Sequence, residues 1–508
     1  MAKVSKQRFI LNLELKTELF QEDILNKRFK IGRQIYNAVL GIALNRYNEM
    51  IKTKAWRNNQ LELSNIYKSS KNDKQLKKIC KPYYNIKNDL LAKYKLNEYS
   101  LHKDVKNMQH HFKDNIDSFT TQKIASRVWV ALNDNLFGKG EEVHFKPYFK
   151  GLNSLEGKSN KTGIRYDIKN NLFLWNGLVI PTMLDINNDY EINALRNKIC
   201  FCRIKRKFVR GKYKYILQLV LEGIPPVKVN KETGEIKNDI GNGKVGLDIG
   251  TQTLAYVSDY DVKLLELAPR VQNIENEKRR IQRYMDRSKR SMNPDNFRED
   301  GTIKRGIKLE WNFSNRYIKA KNKLKDLYRK QVDIRHLDHN ILANEILRNG
   351  NIVLVETMNY KGLQAKSKKT TINEKTKKYN KKKRFGKSLA NKAPAMFLTI
   401  LQNKLKTKGG QYKKIDTWNV KASQYNHLTG ECNKKKLSQR WNYFKYKNQN
   451  IKIQRDVYSA YLIKNVNDDL KSINDIQCTK DFDKFLGLHN KEILRLSVKE
   501  DNISSMGI

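Results

Sequence analysis

The chain has 508 residues, 39% of them hydrophobic, which is enough for two or more folded domains and too many for a single core. Its 102 Lys and Arg against 52 Asp and Glu give a formal net charge of +50, a self-repulsion best relieved by a polyanion, so nucleic acid is the expected partner. Cys80, Cys200, Cys202, Cys432 and Cys478 are too scattered for a disulfide framework, and the sequence has neither an apolar signal-peptide core nor an apolar run long enough for a membrane span; an intracellular protein with no membrane partner is expected.

Phe9, Leu11, Leu13 and Leu15 alternate with Arg8, Asn12, Glu14 and Lys16, the period of a half-buried strand. From about residue 21 to 135 the spacing is helical, most clearly in IGRQIYNAVLGIALNRYNEM and FTTQKIASRVWVALNDNLF. Strand character returns in NLFLWNGLVIP and in the pair KICFCRIKRKFV and KYKYILQLVLEG, whose separating Arg-Gly-Lys contains the glycine that a tight hairpin turn favours. These strands and the first one predict a small β-unit interrupted by helices. Lys205, Arg206 and Arg210 crowd the hairpin beside Tyr213, a mixture suited to phosphate and base-stacking contacts, while a solvated strand face accounts for each residue equally well.

The stretch PPVKVNKETGEIKNDIGNG is polar and turn-rich, so residues 226–243 are expected to link two halves. Beyond it, Val245, Leu247 and Ile249 alternate against Gly246, Asp248 and Gly250 before the chain turns into a second apolar run, which predicts a hairpin with a carboxylate in its first strand. A carboxylate in so apolar a setting needs a partner or a cation, because an isolated buried charge loses its hydration. NIVLVETMNY is continuously apolar, as expected of a central strand covered on both faces, and it ends at Glu356. Ligands gather at such strand ends in open α/β sheets. In IQRDVYSAYLIKNV, Ile453, Val457, Ala460 and Tyr461 are expected to mark one helical face, with Asp456 at its edge and aimed toward the strands. Three carboxylates so carried suit hard, oxygen-seeking cations. Two Mg²⁺ ions (or Mn²⁺) about 4 Å apart activate water and stabilise the leaving 3′ oxygen in phosphodiester hydrolysis. Taken singly, each acid also reads as an ordinary surface or boundary residue.

In the order Asp, Glu, Asp, the segments GLDIG, VLVETM and RDVYSA resemble the RuvC-like nuclease domain of TnpB proteins and of the compact type V CRISPR effectors. The helix YIKAKNKLKDLYRKQVDIRHLDHNILANEIL, with Arg335 and His336, and the segments KAPAMFLTILQNKLKTKGGQYKKID and KASQYNH also match that pattern. The resemblance runs from about residue 244 to 466 and is only architectural before that. It implies a multidomain α/β and α+β protein: a β-barrel-like wedge from residues 1–20 and 136–225, a helical recognition lobe at 21–135, and an RNase H-like (RuvC) domain at 244–508 with a mixed sheet and flanking helices. It further implies an RNA-guided DNA endonuclease with guide RNA and double-stranded target DNA as partners. Asp248, Glu356 and Asp456 are then the catalytic Mg²⁺ ligands, and the location is the bacterial cytoplasm, at the nucleoid when bound to DNA.

One departure concerns the four-cysteine zinc ribbon that the family usually inserts before the third motif. Here SQYNHLTGECNKKKLSQRWNYF offers only His427 and Cys432, too few to close a tetrahedral site, so no structural zinc is expected. Residues 421–450 are expected to form a degenerate ribbon-like insert that still meets target nucleic acid, with Arg440 and Trp441 as contacts. The basic run KGLQAKSKKTTINEKTKKYNKKKRFGKS, which includes Arg384, is expected to be a loop that draws DNA toward the metals, or a merely solvated one. A transposon-associated TnpB-like nuclease is the first reading. A compact type V effector, an RNA-guided repressor that binds without cutting, and a guide-free resolvase are the alternatives; the intact acids argue against the repressor, and the large basic N-terminal half against the resolvase.

Overall fold

The computed structural model describes residues 6–69, 73–138, 140, 142–149, 151–374, 379–380, 382, 385–436, 438–498 and 506. The chain forms two compact units, Met1–Lys228 and Val229–Ile508. Among the described residues no helix is long and apolar enough to cross a membrane.

In the first unit the opening alternation becomes the strand Arg8–Glu14, with Phe9, Leu11 and Leu13 buried. It pairs with Lys212–Glu222, then come Ile199–Val209 and the short Ser154–Glu156, all antiparallel. The long hairpin turns on Arg210 and Gly211, at φ 49° and 92°, the left-handed pair that matches strand twist in a two-residue turn. Helices from Leu19–Ile51 to Ser118–Leu136 pack with these strands around one apolar cluster that includes Phe29, Leu40, Val128 and Leu217.

NLFLWNGLVIP does not join that sheet. It folds back at Asn176-Gly177, both at positive φ, into Leu172–Trp175 and Leu178–Pro181, and with Arg165–Asp167 makes a separate three-stranded sheet. The expected barrel-like wedge is therefore two open sheets, linked by the isolated bridge Leu15–Thr182, with no barrel closed among the described residues. An Asn-Gly pair favours the local hairpin, which supplies each strand with its nearest partner.

The second unit is a mixed α/β layer structure. Its strands are β1 (Lys244–Ile249), β2 (Thr253–Val257), β3 (Val262–Glu266), β4 (Ile352–Val355) and β5 (Gln411–Lys414), in the spatial order β3-β2-β1-β4-β5. β1, β2 and β3 form an antiparallel meander, while β4 runs parallel to β1 and β5 parallel to β4. A parallel pair needs a crossover, and the helices α1 (Val271–Met292), α2 (Asn315–Arg348) and α3 (Pro394–Thr407) occupy those connections. Leu342, Ile346, Phe397 and Leu401 of α2 and α3 cover one sheet face, against Val245, Leu247, Ile249 and Val353. Helices α4 (Arg455–Lys464) and α5 (Asp475–Val498) belong with the other, where Val457, Tyr461, Phe482 and Phe485 share a core with Ala255, Val257 and Leu354.

Helix α4 departs from the pattern read in the sequence. Ile453 is not on it but near the end of a strand, Gln449–Gln454, paired with Trp441–Tyr446. The helix begins at Arg455, capped by the Gln454 side chain, which accepts a hydrogen bond from Val457 N, and Val457 through Lys464 are all buried. Asp456 therefore lies in the first turn of an enclosed helix, not at the edge of a stripe. Negative charge is favourable there, next to the partial positive end of the helix.

Gly246 is what lets α4 reach the sheet. A Cβ at that position would lie 2.1 Å from Ala460 O and 2.4 Å from Lys464 N. Residues two apart share a strand face, so the contact that seats the helix over Gly246 also brings its N-terminal half over Asp248. Gly246→Ala is expected to lower stability by about 1–3 kcal/mol or more, since backbone cannot yield as a flexible side chain does. Gly250→Ala, whose Cβ meets nothing nearer than 3.6 Å, should be close to neutral. Urea denaturation of the two variants checks the difference.

Candidate active site

Asp248 lies near the end of β1, Glu356 directly follows β4, and Asp456 opens α4. The register that pairs Val355 with Leu247 carries the chain on so that Glu356 follows at the level of Asp248. All three acids line one cleft of about 590 Å³ together with the β1–β2 turn, Ser423, Gln424 and the cations Lys434, Lys435, Arg440 and Arg455.

Burial raises the pKa of the Asp248 carboxyl well above the usual carboxylate range, and the negative charges of Asp456 and Glu356 raise it further. Arg455 and a hydrogen bond from Ser459 act in the opposite direction. Glu356 is also raised, by burial first and then by Asp456. Asp456 Oδ1 accepts a hydrogen bond from Arg455 Nε at 2.9 Å, and the same guanidinium donates to Gln439 O at 3.2 Å. Three carboxylates thus share a partly desolvated cleft with one guanidinium bound among them, and a divalent cation would relieve their repulsion. The donor set is all carboxylate oxygen, the chemistry of Mg²⁺ or Mn²⁺. Asp248, Glu356 and Asp456 are the residues that would hold such an ion. As they stand, no group of three or more His, Cys, Asp or Glu among the described residues is gathered closely enough for a metal site.

The other residues singled out in the sequence have varied settings. Arg440 lines the cleft, whereas Trp441 does not and has Lys452 Nζ 4.0 Å over its ring. Arg384 lies outside the described residues. In the first unit Lys205 and Arg210 are exposed and Tyr213 is half-buried. Arg206 is held inside that unit: its guanidinium lies over Phe29 and Tyr213, 4.8 and 4.7 Å from the ring centres, and bonds Asn26 at 3.2 Å and Asn153 at 3.3 Å. His427 and Cys432 face different surroundings. His427 is buried edge-on to Phe482 with Nδ1 2.7 Å from the Tyr458 hydroxyl, and burial lowers its pKa to about 4, while Cys432 is exposed. Sequence reasoning missed Lys434, Lys435 and Arg455 as cleft residues; the available signals were the lysine run before Arg440 and the cation immediately preceding Asp456.

No protein-family model matches the sequence, and no curated protein aligns with it significantly. Among solved structures, a cryo-EM Cas12f1–sgRNA–target DNA complex aligns over 90% of this chain and 98% of its own, at 11% sequence identity and a TM-score of 0.39.

The raised Asp248 pKa has a consequence for stability. Between the unfolded aspartate value near ~4 and the raised folded value, the folded chain binds more protons than the unfolded one, so stability falls as pH rises through that window. In EDTA, Asp248→Asn is expected to be more stable than wild type at pH above neutrality, with the advantage disappearing as the pH approaches ~4. Thermal unfolding across pH measures this, and a less stable variant at high pH would contradict it.

Proposed function

We propose that the chain is an RNA-guided DNA endonuclease, of the TnpB or compact type V kind, whose second unit is an RNase H-like nuclease domain. The observation that carries the reading is the convergence of Asp248, Glu356 and Asp456, remote in sequence, on one cleft. The sheet supports it: a three-strand antiparallel meander continued by two parallel strands has one acid on its first strand, one after its fourth and one on a later helix, in keeping with the sheet that the sequence resemblance implies. The formal charge of +50 supports a polyanionic substrate and partner.

Bound Mg²⁺ would supply Lewis-acid polarisation of a phosphoryl oxygen and a water acidic enough to act as nucleophile. The chain's own part is positioning and charge. Asp248 is held under α4 by the Gly246 contact and oriented by Ser459. Glu356 is fixed by the strand it directly follows. Lys434, Lys435, Arg440 and Arg455 give the cleft a basic wall along which a phosphodiester can lie beside the acids without net repulsion. Guide RNA and double-stranded target DNA enter the reading through the family resemblance and the charge. The RNA-guided repressor is the weaker reading because all three acids face one cleft, which a binding-only protein has no need to maintain against their repulsion.

The test is to purify the protein from its native locus with flanking DNA co-expressed, sequence the bound RNA, and assay the particle on a plasmid library with randomised flanks. Metal-dependent cutting is expected, abolished by EDTA and reduced at least about a hundredfold by Asp248→Ala, Glu356→Ala or Asp456→Ala, since even outer-shell changes cost metal sites 10–100-fold. Absence of a discrete RNA would remove the guided reading. Cutting indifferent to all three substitutions would remove the site.

A further inference from the structure

Trp418 is exposed at 87%, among the most exposed of the large apolar side chains, although indole is costly to leave in water. Its backbone is firmly held. Buried Ile415 and Val420 anchor the segment on either side, and Asp416 Oδ1 accepts hydrogen bonds from Trp418 N at 3.1 Å and Asn419 N at 3.3 Å. The segment presents an aromatic ring outward from a fixed support.

That support is tied to Glu356 from both sides. Ile415 N donates to Val355 O at 3.1 Å, and Thr357 N donates to Thr417 Oγ1 at 3.1 Å. The acid between Val355 and Thr357 is therefore bracketed by bonds to the turn that carries Trp418. A few residues on, Ser423 and Gln424 line the acid cleft itself, and Lys414 and Lys421 flank the turn as exposed cations. An exposed ring on a rigid backbone, with cations beside it and phosphodiester-binding chemistry next to it, has the composition of a surface for unpaired bases: the cations take the backbone and the ring takes a base face.

We propose that Trp418 is a stacking platform for an unpaired base next to the phosphodiester held at the cleft. This rests on the nuclease reading above and adds a specificity residue to it. Paired bases are stacked on both faces by their neighbours and offer the ring nothing, whereas a single strand can turn a base onto it. The contact is sequence-tolerant, because every base has a flat face.

The experiment uses the full chain, freed of bound nucleic acid in high salt. It is titrated in EDTA, at about 0.3 M salt to weaken backbone binding, with a short single-stranded oligodeoxynucleotide and with the same strand carrying abasic sites. The chain has six tryptophans, so the fluorescence difference between wild type and Trp418→Phe isolates this one. The expected result is Trp418-dependent quenching by the base-containing strand. Trp418→Ala should weaken its binding about 5- to 150-fold, with partial recovery in Trp418→Phe and no effect on the abasic strand. Equal binding of the base-containing strand by wild type and Trp418→Ala would overturn the proposal. Because binding is read without metal, the two readings separate. Asp248-dependent cutting with no Trp418 effect removes the platform and leaves the nuclease, while a Trp418 effect without any Asp248-dependent cutting leaves a single-strand-binding surface and removes the nuclease.

Discussion

Helix α4 lies on β1 at Gly246 with no side chain between them, and Ala460 O and Lys464 N take the space that a Cβ would need. The cleft depends on that approach. Asp248 and Gly246 share a strand face, so seating the helix over the glycine brings Asp456 and Ser459 to Asp248. Glu356 arrives independently, at the end of the strand that pairs with β1 in parallel register. A side chain at position 246 would lift the helix and with it one of the three acids.

The same arrangement has an electrostatic cost. Two of the acids are raised in pKa by burial and by one another, and Arg455, bonded to Asp456, balances only part of the charge. Functional sites commonly hold groups that a stability-optimised chain would replace, and a cation or a substrate then supplies what the protein leaves unpaired. Around the acids, Lys434, Lys435 and Arg440 line the cleft with positive charge, which under the proposed nuclease function would let an anionic substrate approach a negative centre.

Much of the second unit was legible because its strands are strongly patterned. The alternation around Asp248 and the apolar run ending at Glu356 correspond to β1 and β4, and KAPAMFLTILQNKLK to α3. Asp456 was harder: Ile453 fits a helical period with Val457 but belongs to the preceding strand, and a helix buried all round leaves no stripe to read. In the first unit the Asn176-Gly177 turn makes a local hairpin, so the strands that the resemblance assigns to one barrel-like wedge divide into two open sheets. Arg206 shows why a basic residue beside aromatics is ambiguous in sequence: the rings it lies over, Phe29 and Tyr213, are in its own unit, and only three dimensions reveal the first of them. The cations of the cleft come from a segment whose charge is conspicuous but whose destination depends on the fold.

The most direct test of the central claim is anomalous diffraction from crystals of the protein soaked in Mn²⁺. The account predicts a peak with carboxylate oxygens of Asp248, Glu356 and Asp456 within about 2.0–2.6 Å, the range of hard-cation oxygen bonds. Strong Mn²⁺ peaks elsewhere on the chain, with none among these three acids, would contradict it.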